Sequence, residues 1–268
     1  IMFELRAKQK SEGTTLLIVD DIADSFDYRN KYAIIEYLGE LLASGKFHMI
    51  ILSHNYDFHR SYAGRLGIRR ECRSFAVRNG RDVALVGEKY QKNPLRHWTE
   101  NLGEPVNFLA SIPLVRNIAE YSGNDDVCGV LTNALHLKPR TMQLTLGELD
   151  AEFEKILRQY RRPPSPERST RVWDLLMSEA DRAARDAEEH ADLEVKIVLS
   201  MAIRLKAEAH MFERINDPEI AEGFDINQTH ELLKRYKSQF SAMDSGVVVL
   251  ERVQLMSPEN IHLNSFMY

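Results

Sequence analysis

Two short apolar runs in this chain each end in residues able to do chemistry. Leu16-Leu17-Ile18-Val19 runs into the adjacent carboxylates of Asp20 and Asp21, and Met49-Ile50-Ile51-Leu52 runs into Ser53 and His54. A pair of carboxylates at the tip of a buried strand is costly unless it faces solvent or a cation. A hard divalent cation shared with phosphate oxygens suits such a pair, because these ions prefer carboxylate oxygen. A solvated acidic turn is the plain alternative, and an isolated Asp-Asp would favour it. The surrounding pattern of strand, two acids, Ser25-Phe26-Asp27, helix, second strand and Ser-His favours the cation site.

Strand ends of this kind must be held by neighbouring elements. Fully apolar runs separated by a helix-length segment read as adjacent buried strands of a parallel sheet, whose chemistry lies just beyond the carboxyl ends. Between them, Ile34, Leu38, Leu41 and Leu42 form an amphipathic stripe, predicting a helix over 28–44 that closes at Gly45. Strand, helix and strand then form a right-handed crossover unit. A helix is expected over 55–66. Residues 73–78 and 82–88, joined at Asn79-Gly80, predict a hairpin at the edge of the same sheet.

In combination, these residues resemble a known family. The stretch from Leu17 to Asp27 is similar to the Walker B strand and D-loop of ABC-type ATPases, the group of transporter motors and SMC-like chromosome and repair ATPases. Ile51-Leu52-Ser53-His54 is similar to their switch histidine. The nearest resemblance is to bacterial phage-exclusion and anticodon-nuclease ATPases, in which an Asp-Asp pair precedes Ser-Phe-Asp. The likeness covers residues 10–60, and the helical remainder resembles the C-terminal regions of the same defence ATPases more weakly. It implies ATP and magnesium as cofactors. Asp20 would hold the metal through water, Asp21 would take the catalytic acid position, and His54 would sense the γ-phosphate. Ser25 and Asp27 would lie in the D-loop, with Asp27 acting across a homodimer interface.

Two departures qualify this resemblance. Transporters usually carry Glu where this chain has Asp21, and a side chain one methylene shorter predicts slow turnover. The sequence also lacks a GxxxxGK[ST] phosphate loop and an LSGG-type signature; Gly45-Lys46 falls in a helix-to-strand turn and is no substitute. In the family both motifs would precede Ile1. The helix-like opening Ile1–Ala7 and the apolar ending Phe266-Met267-Tyr268 match the expectation that the sequence is part of a longer polypeptide. Without a phosphate cradle, the chain by itself is expected to bind ATP poorly.

The expected fold class is therefore α/β, a partial P-loop NTPase parallel sheet followed by a mostly helical C-terminal domain. The expected divisions are 1–92 for the ATPase portion, 93–160 for a helical extension and 161–268 for the helical domain. Helices are predicted over 106–121, 127–137, 146–160, 170–191, 193–215 and 228–240, with Thr145 capping the third. Arg161-Arg162-Pro163-Pro164 marks the break. Val247–Leu250 reads as a strand or buried turn.

Arg204 and His210 resemble the Arg-x(4–6)-His pattern of HEPN ribonucleases. Arg204, Glu208 and a distant histidine loosely resemble the Arg-Glu-His set of anticodon nucleases. Six residues along a helix leave Arg204 and His210 about 120° out of register, and a solvated helix face accounts for the spacing better. An ATPase-regulated RNase is thus one alternative function, and a non-enzymatic dimerisation module is another. His59, His97, Trp98 and His190 have no ligand spacing. The alternation of Asn260, His262 and Asn264 suggests a docking segment. Arg69-Arg70 and Arg161-Arg162 read as ordinary basic surface, although a nucleic acid or effector subunit is a possible partner.

Composition sets the outer bounds. With 44% hydrophobic and 28% charged residues the chain resembles a soluble globular protein. A net charge of -5 argues against general polyanion binding but not against a local basic patch. The two cysteines, Cys72 and Cys128, have no metal-like spacing and suggest a reducing compartment. Neither a membrane-spanning run nor a secretory pattern is present, so a cytoplasmic location is expected.

Overall fold

Strand β1 (Thr15–Asp20), helix α2 (Tyr28–Ala43) and strand β2 (Phe47–Leu52) follow helix α1 (Met2–Gln9). The two strands pair in parallel, with Ile18 opposite Ile50 and Asp20 opposite Leu52. Gly45, at φ +68°, turns the chain out of α2 in the left-handed conformation that glycine adopts without penalty. In this computed structural model the described residues are 2–10, 12–22, 28–79, 81–88, 100–158, 160–161, 166–185, 193–215, 217, 220, 224, 227–240 and 245–254.

One face of the strand pair is covered. Ile51 packs with Ile22 against a small core of Ile35 from α2 and Phe58 from α3 (Tyr56–Arg65). At Gly39 the two helices come so close that a Cβ would stand 2.8 Å from a methyl of Leu66. The opposite face is bare: Leu16 is 59% exposed, Ile18 61%, Ile50 48% and Leu52 49%. Parallel strands ordinarily bury both faces, so this aliphatic surface is exceptional.

Beyond α3, a 3₁₀ turn at Arg70–Cys72 leads into β3 (Ser74–Asn79) and β4 (Asp82–Gly87). They pair antiparallel as expected, but Asn79 is the last residue of β3 and pairs with Asp82, so it does not occupy the turn position that the Asn-Gly signal gives it. The hairpin does not extend the parallel sheet, contrary to the sequence expectation; it forms a separate two-stranded sheet. It is tied instead to α3 through Glu88, which is buried. The Glu88 carboxylate lies 3.3 Å from His59 Nε2 and 2.9 Å from Arg73 Nη1. Turn chemistry determines the pairing within a hairpin, whereas this buried ion cluster determines where it attaches.

The remaining elements are helical: α4 (Pro105–Tyr121), α5 (Asp125–Thr132), α6 (Leu146–Ile156), α7 (Val172–Arg185), α8 (Leu193–Ile215), α9 (Gln228–Gln239) and α10 (Ser245–Gln254). Thr145 caps α6 in a reciprocal capping box with Glu148. Of the i+4 stripe on α8, Ile197, Met201 and Leu205 are buried, and Leu193 at its start is half-buried. Full burial of each such side chain contributes about 1.5–3 kcal/mol relative to exposure. The segment containing Val247–Leu250 is helical rather than a strand or turn. Val247, Leu250 and Val253 face Leu232, Leu233 and Tyr236, and this i, i+3, i+6 contact stabilises a helix against a β-branched run.

The chain divides into one unit within Ile1–Lys92 and another within Asn93–Ile261. The expected break at Arg161-Arg162 does not separate the helices before it from those after it, because α4 packs on both α7 and α8. Among the described residues, no helix is long and apolar enough to cross a membrane.

Candidate functional site

Local backbone geometry at the carboxyl end of β1 separates the two acids. Asp20 continues the strand, pairs in register with Leu52 and is exposed on the bare face with Leu16 and Ile18. Asp21 takes φ 44°, a left-handed conformation that Asp tolerates better than most residues. Its N–H still donates to the Leu52 carbonyl at 3.0 Å. This turn directs the Asp21 carboxylate across to the loop that follows β2.

There the His54 backbone N–H donates to Asp21 Oδ1 at 3.1 Å, and the His54 ring Nδ1 lies 2.7 Å from the same oxygen. The His54 N–H, the ring bond and the imidazole charge together hold the Asp21 carboxyl below the usual aspartate range, against a small opposing effect of burial. Both side chains remain accessible, 46% for Asp21 and 41% for His54. The loop carrying His54 is rigidified on its far side. The Ser53 hydroxyl oxygen accepts the Asn55 N–H at 3.1 Å, and Asn55 Oδ1 caps α3 by accepting the Phe58 N–H at 3.0 Å.

No protein-family model, curated protein or solved structure matches the chain. The chemistry must therefore be argued from the side chains themselves. An accessible carboxylate–imidazole pair can hold a proton, orient a water or present a cationic donor to an anion. Asp20 offers an exposed hard-oxygen ligand at the same strand end. Among the described residues no group of three or more His, Cys, Asp or Glu side chains could hold a metal. Asp20 thus fits magnesium only where phosphate oxygens and water complete the shell, which is how that ion is commonly bound.

Of the residues singled out from sequence, Asp21 and His54 are brought into contact and Asp20 lies on the neighbouring face. Ser25 and Asp27 lie outside the described residues, as do His97, Trp98, His190, Asn260, His262 and Asn264. His59 is a structural partner of Glu88.

The Arg204–His210 segment differs from the expected solvated face. Arg204 and Glu208 are buried, whereas His210 is exposed and sits 3.3 Å from the Tyr236 hydroxyl. Arg204 Nε donates to the Leu135 carbonyl at 3.0 Å. The Glu208 carboxylate meets His136 Nδ1 at 2.7 Å and accepts from the Leu137 N–H at 2.7 Å, Gln228 Nε2 at 2.7 Å and Thr229 Oγ1 at 2.6 Å. Burial pushes this carboxyl up. The His136 contact and charge, the Thr229 hydroxyl and the Leu137 N–H outweigh that effect and hold it below the ordinary glutamate value. The helical period puts Arg204 and Glu208 on one face of α8, but no local signal marks His136 or Thr229 as their partners.

Proposed function

We propose that this chain carries the Walker B and switch-histidine portion of an ABC-type ATPase within a phage-defence or nucleic-acid-related machine. The observation that carries the reading is the Asp21–His54 contact at the carboxyl ends of two parallel strands bridged by a helix. The bare Leu16/Ile18/Ile50/Leu52 face supports it, since such a surface suits the interior of a larger parallel sheet. In this reading the fold is a partial P-loop sheet, and Asp20 holds the magnesium of Mg-ATP through water.

The same reading assigns the remaining roles. With Oδ1 committed to His54, water activation falls to Asp21 Oδ2. With Nδ1 turned to Asp21, Nε2 is the ring nitrogen that this reading assigns to a terminal phosphate. Phosphoryl transfer depends on such positioning and charge placement more than on covalent chemistry. Ser25 and Asp27 belong to the D-loop of a homodimer in the same reading.

The test begins with the reading frame upstream of Ile1. A Gly-rich Lys-Ser/Thr loop and a Ser-x-Gly-Glu motif are expected there, with magnesium-dependent ATP hydrolysis by the polypeptide that carries them. Asp21→Asn should lower that turnover by about a hundredfold or more. Unchanged hydrolysis in Asp21→Asn and His54→Ala overturns the reading.

A further inference from the structure

The charge of this acidic chain is unevenly distributed. Between Arg60 and Arg81 it places seven arginines and no lysine against a single acid, Glu71, while the acidic excess lies in residues 93–268. Arg65 pairs with Glu36 and Arg73 with Glu88, and Arg70 also has an interaction of its own. Arg60, Arg69, Arg70 and Arg81 are exposed. They flank or belong to the segment that builds the β3–β4 hairpin.

The second strand of that hairpin buries nothing of its own. Every position of β4 is exposed, with Val83 at 68% and Leu85 at 75%. The two alternate along the strand and so share a face. Leu85 stands opposite the exposed Ala76, and Val83 stands opposite position 78. An isolated two-stranded ribbon is marginal in water. This one persists because Glu88 anchors its base to α3, projecting an aliphatic face between arginines.

We infer that the β3–β4 ribbon and its flanking arginines form a docking surface for double-stranded DNA. Arginine dominates where phosphates are gripped in a planar fork, and phosphate contacts position a protein while groove contacts read the bases. The B-form major groove admits a two-stranded ribbon, and aliphatic side chains meet thymine methyl groups there. The deep, narrow major groove of A-form RNA excludes it. The inference is independent of nucleotide hydrolysis, and its failure leaves the ATPase reading standing.

The test is polarisation of a fluorescent DNA duplex titrated with the full chain at several salt concentrations. Salt-dependent binding is expected. The triple variant Arg69→Ser/Arg70→Ser/Arg81→Ser should bind about tenfold or more weaker, with the log–log salt slope reduced by about 0.9 for each phosphate no longer neutralised. Val83→Ser/Leu85→Ser should weaken binding at an unchanged slope, whereas Arg161→Ser should bind like the parent. Thermal unfolding of each variant reports whether the fold is kept. Hydrogen exchange of the unaltered chain should show DNA-dependent protection over 74–87, a readout that needs no variant. Absence of duplex binding, parent-like affinity in a folded triple variant, lack of protection over 74–87, or tighter binding to single-stranded RNA, a protein or anionic vesicles overturns the inference.

Discussion

The imidazole of His54 and the carboxylate of Asp21, 33 positions apart in the chain, meet at 2.7 Å where two parallel strands end. The contact uses one oxygen for both the ring nitrogen and the His54 backbone N–H. It therefore clasps the loops after β1 and β2 and at the same time sets the orientation of the imidazole.

The clasp has a pH dependence with a definite sign. Asp21 has a folded pKa below its ordinary value of 3.8, so its stabilising contribution is present above that value and is lost as pH falls through the lower folded one. Acid titration followed by NMR at the Asp21 side chain and the His54 amide should show both shifting together below pH 4. Independent transitions would mean that the contact does not persist in solution.

Nucleotide binding by the chain alone should be weak. The sequence contains no Gly-rich phosphate loop, and Asp20, Asp21 and His54 cannot replace the backbone N–H cradle that holds phosphates. Calorimetric titration with Mg-ATP should detect no micromolar site. A micromolar, magnesium-dependent site would show that phosphates are held by residues other than a glycine-rich loop.

Glu208 should matter to stability far more than its neighbour His210. Replacing Glu208 with Leu strands donors from His136, Leu137, Gln228 and Thr229, a loss of about 3 kcal/mol or more on the scale of broken buried polar networks. Because its folded pKa is lowered, the ionised carboxylate stabilises above pH 4.5 and loses that effect as acid protonates it. Urea unfolding of Glu208→Leu and His210→Ala at neutral and acidic pH separates the two effects. A Glu208→Leu protein as stable as the parent would contradict the network.

The same region allows a test of the ribonuclease alternative. Arg204 is buried on Leu135 and His210 is exposed on another face, so one phosphate does not engage both in this arrangement. His210→Ala should leave any RNA cleavage by the chain unchanged. Loss of cleavage in that variant would favour the nuclease reading.

Thr145→Ala should cost about 1 kcal/mol through loss of the N-cap of α6. The Glu148 carboxyl keeps its main partner, the Thr145 N–H, in that variant and loses only the hydroxyl, so it should rise only part of the way towards its ordinary value of 4.5. Thermal melts and NMR titration of Glu148 check the two effects separately.

Local signals determined much of this molecule. Apolar runs ending in Asp20-Asp21 and Ser53-His54, the α2 stripe, the Thr145 cap and the α8 periodicity all act within a few residues, and each produced the element its chemistry favours; the Asn-Gly signal marked the hairpin but not its register. Tertiary structure decided what depends on distant partners. The left-handed turn at Asp21 sends one acid to His54 and leaves the other on an open face. Glu88 detaches the hairpin from the parallel sheet and fastens it to α3. Burial against Leu232 and Tyr236 makes a helix of a valine run, and His136 and Thr229 turn an apparently solvated Glu208 into the centre of a core. A carboxylate or a valine has no preferred partner in isolation; the partner is supplied by whichever segment the packing brings within reach.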